Sequence, residues 1–210
     1  MPLTHYTCRH LVQVLATETR RTDTTPQALA LSHIALGRFL AGELVEEFQL
    51  EPCEIQHPQG VRQGWRIADE HDIALLVFMR SGLYVAEGVR ELFQRAPLHH
   101  VLPRRGVGLD DAELEKIVAL APRTCVVIDA VVNTGASIEP VLAQLSEWGF
   151  RIFVLSLVSP KPTVERLAEA WPNVCFMFAR VSDNQYVGSN GLDTGNRLFG
   201  TVHSIETKPT

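Results

Sequence analysis

The chain lacks any arrangement of cysteines that would indicate a metal centre or a redox pair. Its 210 residues include four cysteines, which stand far apart, with no C-x-x-C pair and no histidine at zinc-ligand spacing behind any of them. Cysteines without such a pattern are most often buried as small apolar side chains. We therefore expect reduced, buried thiols at Cys8, Cys53, Cys125 and Cys175.

Positive charge is also scarce. The chain has 19 Lys and Arg residues against 24 Asp and Glu residues, which gives a formal net charge of -5. Because affinity for a phosphate backbone needs a basic surface, we expect no nucleic-acid partner.

Long apolar runs are missing as well. No uninterrupted stretch approaches the roughly twenty apolar residues that a membrane span needs. Charged residues interrupt the segment before Pro26, which is unlike a secretory signal. Hydrophobic residues make up 46 % and charged residues 20 %, as in ordinary globular proteins. The sequence predicts a cytoplasmic protein without a membrane partner.

From residue 73 onward, short apolar runs alternate with helical patterns. This alternation is typical of crossover units around a parallel sheet. The predicted strands are residues 73–79, 98–102, 125–128, 152–157 and 174–178, and the predicted helices are residues 83–94, 112–119, 138–148 and 163–170. The predicted fold class is α/β, an open doubly wound parallel sheet of about five strands.

Two further elements are predicted ahead of this core. Apolar residues recur at helical spacing over residues 26–48, which predicts a long amphipathic helix. Residues 53–67, punctuated by proline and glycine, are too polar for a core strand and predict an edge hairpin or small β arm. Residues 7–21 have no firm period, and we assign no element to them. We expect one domain over residues 1–210, with the helix and arm in 1–70, the core in 71–181 and a closing segment in 182–201.

The residues that follow the predicted strands carry the chemistry, because ligands of an open parallel sheet bind beyond the carboxyl ends of its strands. After the run 125–128 comes Asp129, and then a loop that leads into a helix and contains Asn133, Thr134, Gly135, Ala136 and Ser137. Unpaired N–H groups at a helix start, with nearby hydroxyls, bind a phosphate monoester, and Asp129 would hold hydroxyls of the attached sugar. The alternative is that Thr134 or Ser137 merely caps the helix. The loop matches neither the P-loop nor G-x-G-x-x-G, which excludes the common nucleotide fingerprints.

Two other motifs accompany this loop. Arg80, Ser81 and Gly82 follow the first core strand, and residues 186–201 have the sequence Y-V-G-S-N-G-L-D-T-G-N-R-L-F-G-T. With these three ordered motifs the chain resembles the uracil phosphoribosyltransferase family over nearly its whole length. The resemblance matches Arg80, Ser81 and Gly82 to the family's diphosphate loop, residues 129–137 to its ribose-phosphate loop, and residues 193–201 to the end of its base-recognition segment.

The resemblance implies transfer of a 5-phosphoribosyl group from phosphoribosyl diphosphate to uracil or a related pyrimidine, giving a UMP-type nucleotide and diphosphate. The residues implied to bind phosphoribosyl diphosphate are Arg80, Ser81, Gly82, Arg105, Asp129, Asn133, Thr134, Gly135, Ala136 and Ser137. Those implied to bind the base are Val187, Gly188, Gly191, Leu192 and Asp193. Catalytic roles are implied for Asp129, for Arg105 as a lid arginine that closes on the diphosphate, and for Asp193 beside the base. The implied cofactor is Mg²⁺, held mainly by substrate oxygens and water, with Asp193 acting through a bound water.

We also expect a homodimer. The arm and the first long helix offer more apolar surface than one sheet layer needs, and a symmetric dimer is the commonest closed assembly. The resemblance implies a dimer or a larger assembly as well.

Some positions depart from the family pattern. Residues 188–192 differ in order from the family's base loop, Asn196 stands where the family has an acid, and a shorter segment replaces the hairpin lid beyond Arg105. These departures leave open a sensor of the same fold that binds a nucleotide or phosphoribosyl diphosphate without turnover. A plain α/β scaffold is the third interpretation, but it leaves the three ordered motifs unexplained.

Overall fold

A computed structural model describes residues 3–184 and 193–201 of the chain. The strands in chain order are β1 (Leu3–His5), β2 (Leu50–His57), β3 (Gly60–Ile67), β4 (Ile73–Phe78), β5 (Leu98–Val101), β6 (Thr124–Val131), β7 (Arg151–Pro160) and β8 (Val174–Ser182). The helices are α1 (His10–Arg20), α2 (Pro26–Val45), α3 (Leu83–Arg90), α4 (Asp111–Ala119), α5 (Ile138–Glu147), α6 (Lys161–Ala170) and α7 (Thr194–Leu198).

Six strands form one sheet in the order β1-β8-β7-β6-β4-β5, and every pairing in it is parallel. The predicted α/β class and all five predicted strands are confirmed. The count of about five was one short, because β1 was missed. With only three residues, β1 shows no alternation in the sequence, and it pairs with β8 through Leu3 and Phe176.

The sheet is covered on both faces, as its nearly continuous apolar strands require. Along β4, Leu75 and Val77 pack into the layer that contains α2 and α3. The alternate residues Leu76 and Phe78 pack into the opposite layer, which contains α4, α5 and α6. Successive side chains of a strand point to opposite faces, so one strand supplies both cores.

Helix α1 was not predicted. Among its eleven residues only Val12 and Ala16 are buried, and this is too few to produce a visible helical period. Helices α2 and α3 end at Val45 and Arg90, rather than at the predicted positions 48 and 94.

By length and composition alone, α2 resembles a membrane span. Half of that stretch is buried inside the protein, including Leu36, Leu40 and Leu44. Helix α2 packs against α1, α3 and the sheet.

The predicted arm is present as the antiparallel pair β2 and β3, with Leu50 opposite Ile67 and His57 opposite Gly60. It forms a separate two-stranded sheet. Large apolar side chains are exposed on it, above all Trp65, which is 64 % exposed.

The four cysteines are free, but only Cys125 is fully buried, and burial raises its pKa to about 12. Cys53 and Cys175 are partly exposed and Cys8 is exposed. The expectation of four buried thiols was therefore wrong for three of them.

Candidate active site

A cavity of about 300 Å³ lies at the carboxyl ends of β4 and β6. It is lined by Ser81, Arg105, Asp129, Val131, Val132, Asn133, Thr134, Gly135, Ala136, Ser137, Ile138, Asp193 and Thr194. Eight of the ten residues expected to bind phosphoribosyl diphosphate are among them, and Arg80 and Gly82 are not. We name it the phosphate cavity.

Asp129 lines this cavity near the end of β6. The Ser81 hydroxyl donates a hydrogen bond of 2.5 Å to Asp129 Oδ1. Burial raises the pKa of Asp129 to about 6, and the negative charge of Asp193 adds to this rise. Hydrogen bonds from Ser81 and from the backbone N–H groups of Val131 and Ala130 oppose it, because they stabilise the carboxylate. The carboxylates of Asp129 and Asp193 therefore line the same cavity.

The loop between β6 and α5 is held from outside the cavity by side chains of α6. Arg166 donates to the Thr134 carbonyl at 2.8 Å and forms an ion pair with Glu139 at 2.7 Å. Thr163 donates to the Asn133 carbonyl at 2.7 Å. Gly135 has a φ of +85°, a conformation that side chains disfavour. The loop is thus fixed in shape before any ligand arrives.

The start of α5 has no side-chain cap. Ser137 makes no capping hydrogen bond, and the Thr134 hydroxyl accepts only a long one, at 3.4 Å, from the Ala136 N–H. The alternative in which Thr134 or Ser137 serves as the helix cap is therefore not what the structure has. The first two N–H groups of the helix, those of Ile138 and Glu139, donate to the Gly135 carbonyl at 3.0 and 2.9 Å. The donors for a bound phosphate at this helix start are therefore those of the preceding loop residues 134–137.

The loop after β4 passes very close to the neighbouring strand. A side chain at Gly82 would place its Cβ 2.5 Å from the Ile128 carbonyl oxygen and 2.8 Å from that of Phe78, so only glycine fits there. The peptide bond between Met79 and Arg80 is cis.

Arg80 contacts the C-terminal segment. Its Nη2 donates to Asn196 Oδ1 at 2.7 Å, and its guanidinium lies over the Phe199 ring at 5.6 Å from the centroid. Asn196, where the family has an acid, supplies a neutral acceptor. Within the described residues Arg80 forms no ion pair, so no acid neutralises its positive charge.

Arg105 lies in a short turn instead of a long lid. Arg104 and Gly108 pair backbone to backbone across this turn, and the Gly106 N–H donates to the Ala136 carbonyl at 2.9 Å. The turn is thereby attached to the loop between β6 and α5. Within the described residues, the Arg105 guanidinium has no ion-pair partner, and it lines the cavity.

The closing segment reaches the cavity through Asp193 and Thr194. Asp193 Oδ2 accepts a hydrogen bond from the Asn196 N–H at 3.2 Å and so caps α7. The other residues expected to bind the base, Val187, Gly188, Gly191 and Leu192, lie outside the described part of the chain.

A second cavity, also about 300 Å³, adjoins the first one, since Val131 and Thr194 line both. It lies at the carboxyl ends of β7 and β8 under α1 and α2, and we name it the arginine cavity. Its polar lining residues include Arg20, His33, Ser159, Arg180 and Arg197.

Sequence reasoning missed the arginine cavity. Ser159 and Arg180 each stand two residues beyond a predicted strand, so inspection of those strand ends would have found them. The sequence could not predict that Arg20 and His33 line this cavity, because their positions depend on how α1 and α2 pack over the sheet.

A doubly wound parallel sheet has a loop after β4 in which only glycine fits, and an acid-led loop without a side-chain cap after the neighbouring β6. This arrangement is that of the phosphoribosyltransferase class of proteins. The family model of uracil phosphoribosyltransferase matches residues 6–201. The chain belongs to the uracil phosphoribosyltransferase family.

Individual relatives agree with this assignment. A protein of Roseiflexus castenholzii named uracil phosphoribosyltransferase is 30 % identical over 203 residues, which cover 91 % of this chain and 95 % of that protein. One of the same name from Thermococcus sibiricus is 25 % identical over 211 residues, covering 95 % and 90 %. The solved structure of the AQ2163 protein from Aquifex aeolicus has a TM-score of 0.74 at 19 % identity and covers 95 % of this chain and 99 % of that one, which shows a shared fold.

Proposed function

We propose that the protein transfers the 5-phosphoribosyl group of phosphoribosyl diphosphate to a ring nitrogen of uracil or a related pyrimidine. The observation that carries the proposal is the convergence of Ser81, Arg105, Asp129 and the uncapped start of α5 on one cavity. The family membership of the chain supports the same reaction.

The reaction needs positioning and charge stabilisation more than a covalent nucleophile. The C1–O bond to the diphosphate breaks and its electron pair leaves with the diphosphate. A bond from the ring nitrogen to C1 forms, and the nitrogen's proton passes to water. Between these events the ribosyl group carries positive charge, which the Asp129 carboxylate is placed to stabilise while it holds the ribose hydroxyls.

The two ends of the substrate then have separate sites. The 5-phosphate lies against the loop residues 134–137 ahead of α5, where backbone N–H groups and hydroxyls meet an anion. The leaving diphosphate lies toward β4, against Ser81 and Gly82, where Arg80 and Arg105 supply positive charge from either side.

The acceptor enters from the opposite side, because the incoming nitrogen and the leaving oxygen lie on opposite faces of C1. That side of β6 holds the arginine cavity, next to β7 and β8. Asn184 and Thr194 both line this cavity, and the base-binding residues expected from the family lie between them in the sequence. We therefore assign the acceptor to the arginine cavity.

Magnesium is the cofactor that we propose. The phosphate cavity offers the carboxylates of Asp129 and Asp193, and the charge of Asp193 is felt at Asp129. Oxygen ligands of this kind suit Mg²⁺, which keeps several waters and binds substrate phosphates. When bound, the ion would neutralise charge on the diphosphate.

We propose further that the protein is a cytoplasmic homodimer. The exposed apolar side chains of Leu50, Val61 and Trp65, which the pairing of β2 with β3 puts on one face of the arm, support a subunit contact there.

The test is release of diphosphate from phosphoribosyl diphosphate, with Mg²⁺ and a panel of pyrimidine bases. We expect release that depends on the base and is lost in Asp129→Asn, while Glu115→Gln, an exposed change on α4, keeps full activity. Binding of phosphoribosyl diphosphate without release for any base would overturn the proposal and favour the sensor.

A further inference from the structure

The arginine cavity has an unbalanced charge. Arg20, Arg180 and Arg197 line it, and the described lining residues include no aspartate or glutamate. Arg197 donates to the backbone carbonyls of Thr19 and Arg21, at 3.1 and 2.6 Å. In the part of the chain that the structure describes, Arg20 and Arg180 have neither a hydrogen-bond nor an ion-pair partner.

Arg180 is half-buried, and this makes its lack of a counter-charge costly. Its pKa is lowered, first by burial and then by the positive charge of Arg20. The two arginines are thus close enough to repel one another. A bound anion would relieve both the repulsion and the missing counter-charge.

Two buried polar groups of the same cavity also lack partners. His33 Nδ1 and Ser159 Oγ make no hydrogen bond within the described residues, although His33 is only 3 % exposed and Ser159 is 0 % exposed. Buried polar atoms in native proteins are nearly always paired. Burial, and then the charge of Arg197, lower the pKa of His33 to about 4, so its imidazole is neutral at pH 7. The lining of the cavity therefore suits a polar ligand.

Uracil is neutral, so its carbonyl oxygens can accept hydrogen bonds from the arginines but it cannot supply the missing counter-charge. We propose that the arginine cavity binds an acceptor that carries an anionic group, specifically a pyrimidine with a ring carboxylate. This inference rests on the proposed function, and it narrows the related pyrimidine to an acidic one. Arginine forks suit a carboxylate because they donate two parallel hydrogen bonds to it.

The experiment compares uracil with two probes, uracil-5-carboxylate and uracil-6-carboxylate, by calorimetry and by diphosphate release. We expect at least one carboxylated probe to have a Kd and a kcat/KM about tenfold or more better than uracil, as for a charge-assisted bond. Arg180→Gln should remove this advantage of the carboxylated probe over uracil. Arg180→Lys keeps the charge and should retain most of it, and Arg90→Gln, an exposed change on α3, should retain all of it.

The outcomes separate the two proposals. Release with uracil, no preference for either carboxylated probe and no effect of Arg180→Gln would overturn this inference and leave the proposed function standing. If the carboxylated probes bind in an Arg180-dependent manner but no diphosphate is released, the anion site stands and the proposed function is overturned.

A third arm uses inorganic phosphate as competitor. If inorganic phosphate competes for the cavity as effectively as a carboxylated pyrimidine does, the cavity is a general anion or effector site. Its assignment to the acceptor is then wrong. If Arg180→Gln unfolds the protein, Arg20→Gln takes its place, and a preference for the carboxylated probe that is unchanged in that variant overturns the proposal.

Discussion

Replacing Asp129 by asparagine should weaken the binding of phosphoribosyl diphosphate and strengthen the fold. The carboxylate is placed to accept hydrogen bonds from ribose hydroxyls, and a bond to a charged group contributes about 1.5 to 3 kcal/mol. Its loss should raise the Kd by about 10- to 150-fold. The amide keeps the size of the side chain, and its oxygen still accepts from Ser81.

The gain in stability follows from the pKa of Asp129, which burial raises from 3.8 to about 6. Because the folded pKa lies above the unfolded one, the folded state binds the proton more tightly, and ionisation destabilises it. This cost is absent below about pH 4, grows between about pH 4 and pH 6, and is complete above that window. A rise of about two units corresponds to about 3 kcal/mol at pH 8, and to about half of that near pH 5.

The measurement is urea unfolding of wild type and Asp129→Asn at pH 5 and pH 8, with Glu115→Gln as the control. We expect the variant to be more stable at pH 8, by an amount that shrinks at pH 5, and the control to show no such trend. The variant could instead be less stable at pH 8, or the difference in the free energy of unfolding could be independent of pH. Either result would refute the conclusion that ionisation of Asp129 destabilises the folded state.

Three further predictions concern other parts of the molecule. Arg105→Ala should lower kcat about tenfold or more and change the KM for phosphoribosyl diphosphate less, because negative charge grows on the diphosphate as the C1–O bond breaks. If steady-state kinetics show only a change in KM, Arg105 binds the substrate without stabilising the transition state. Gly82→Ala should destabilise the protein by about 1 to 3 kcal/mol in thermal melts, because its Cβ would lie 2.5 Å from the Ile128 carbonyl oxygen. The control Gly42→Ala, whose Cβ would meet nothing within 4 Å, should stabilise α2 in the same measurement. Trp65→Ser on the arm should shift the mass seen by light scattering from a dimer toward the 23.4 kDa monomer, and a wild-type protein that is already monomeric at micromolar concentration would contradict the proposed dimer.

Short-range patterns in the sequence were sufficient for the strands of the core and for the phosphate loop. Asp129 and Ser137 belong to a continuous strand, loop and helix, so their approach to one ligand follows from local geometry. Ser81 and Gly82 could be added because the carboxyl ends of neighbouring parallel strands meet at one edge.

The contacts that support this site come from distant parts of the chain, and no local sequence pattern predicts them. Arg166 on α6 holds the Thr134 carbonyl from 32 positions away, and it looks like an ordinary surface arginine in the sequence. Arg20 and Arg180 meet across one cavity only after α1, which has almost no period, packs over the end of β8. The departure of Asn196 from the family pattern was visible, but its role as acceptor for Arg80 was not.

The pairing of β1 with β8 has a consequence for how the protein folds. The Val181 N–H donates to the Thr7 hydroxyl from 174 positions away, and Arg197 binds carbonyls at the end of α1. Contacts between such distant residues carry a large loop-closure cost and form late. During synthesis the first strand must therefore wait for almost the entire chain, while β4, β6 and β7 are already able to pair. The arginine cavity joins residues of α1 and α2 with residues of β8 and α7, so a ligand that binds there should oppose the separation of these elements on unfolding.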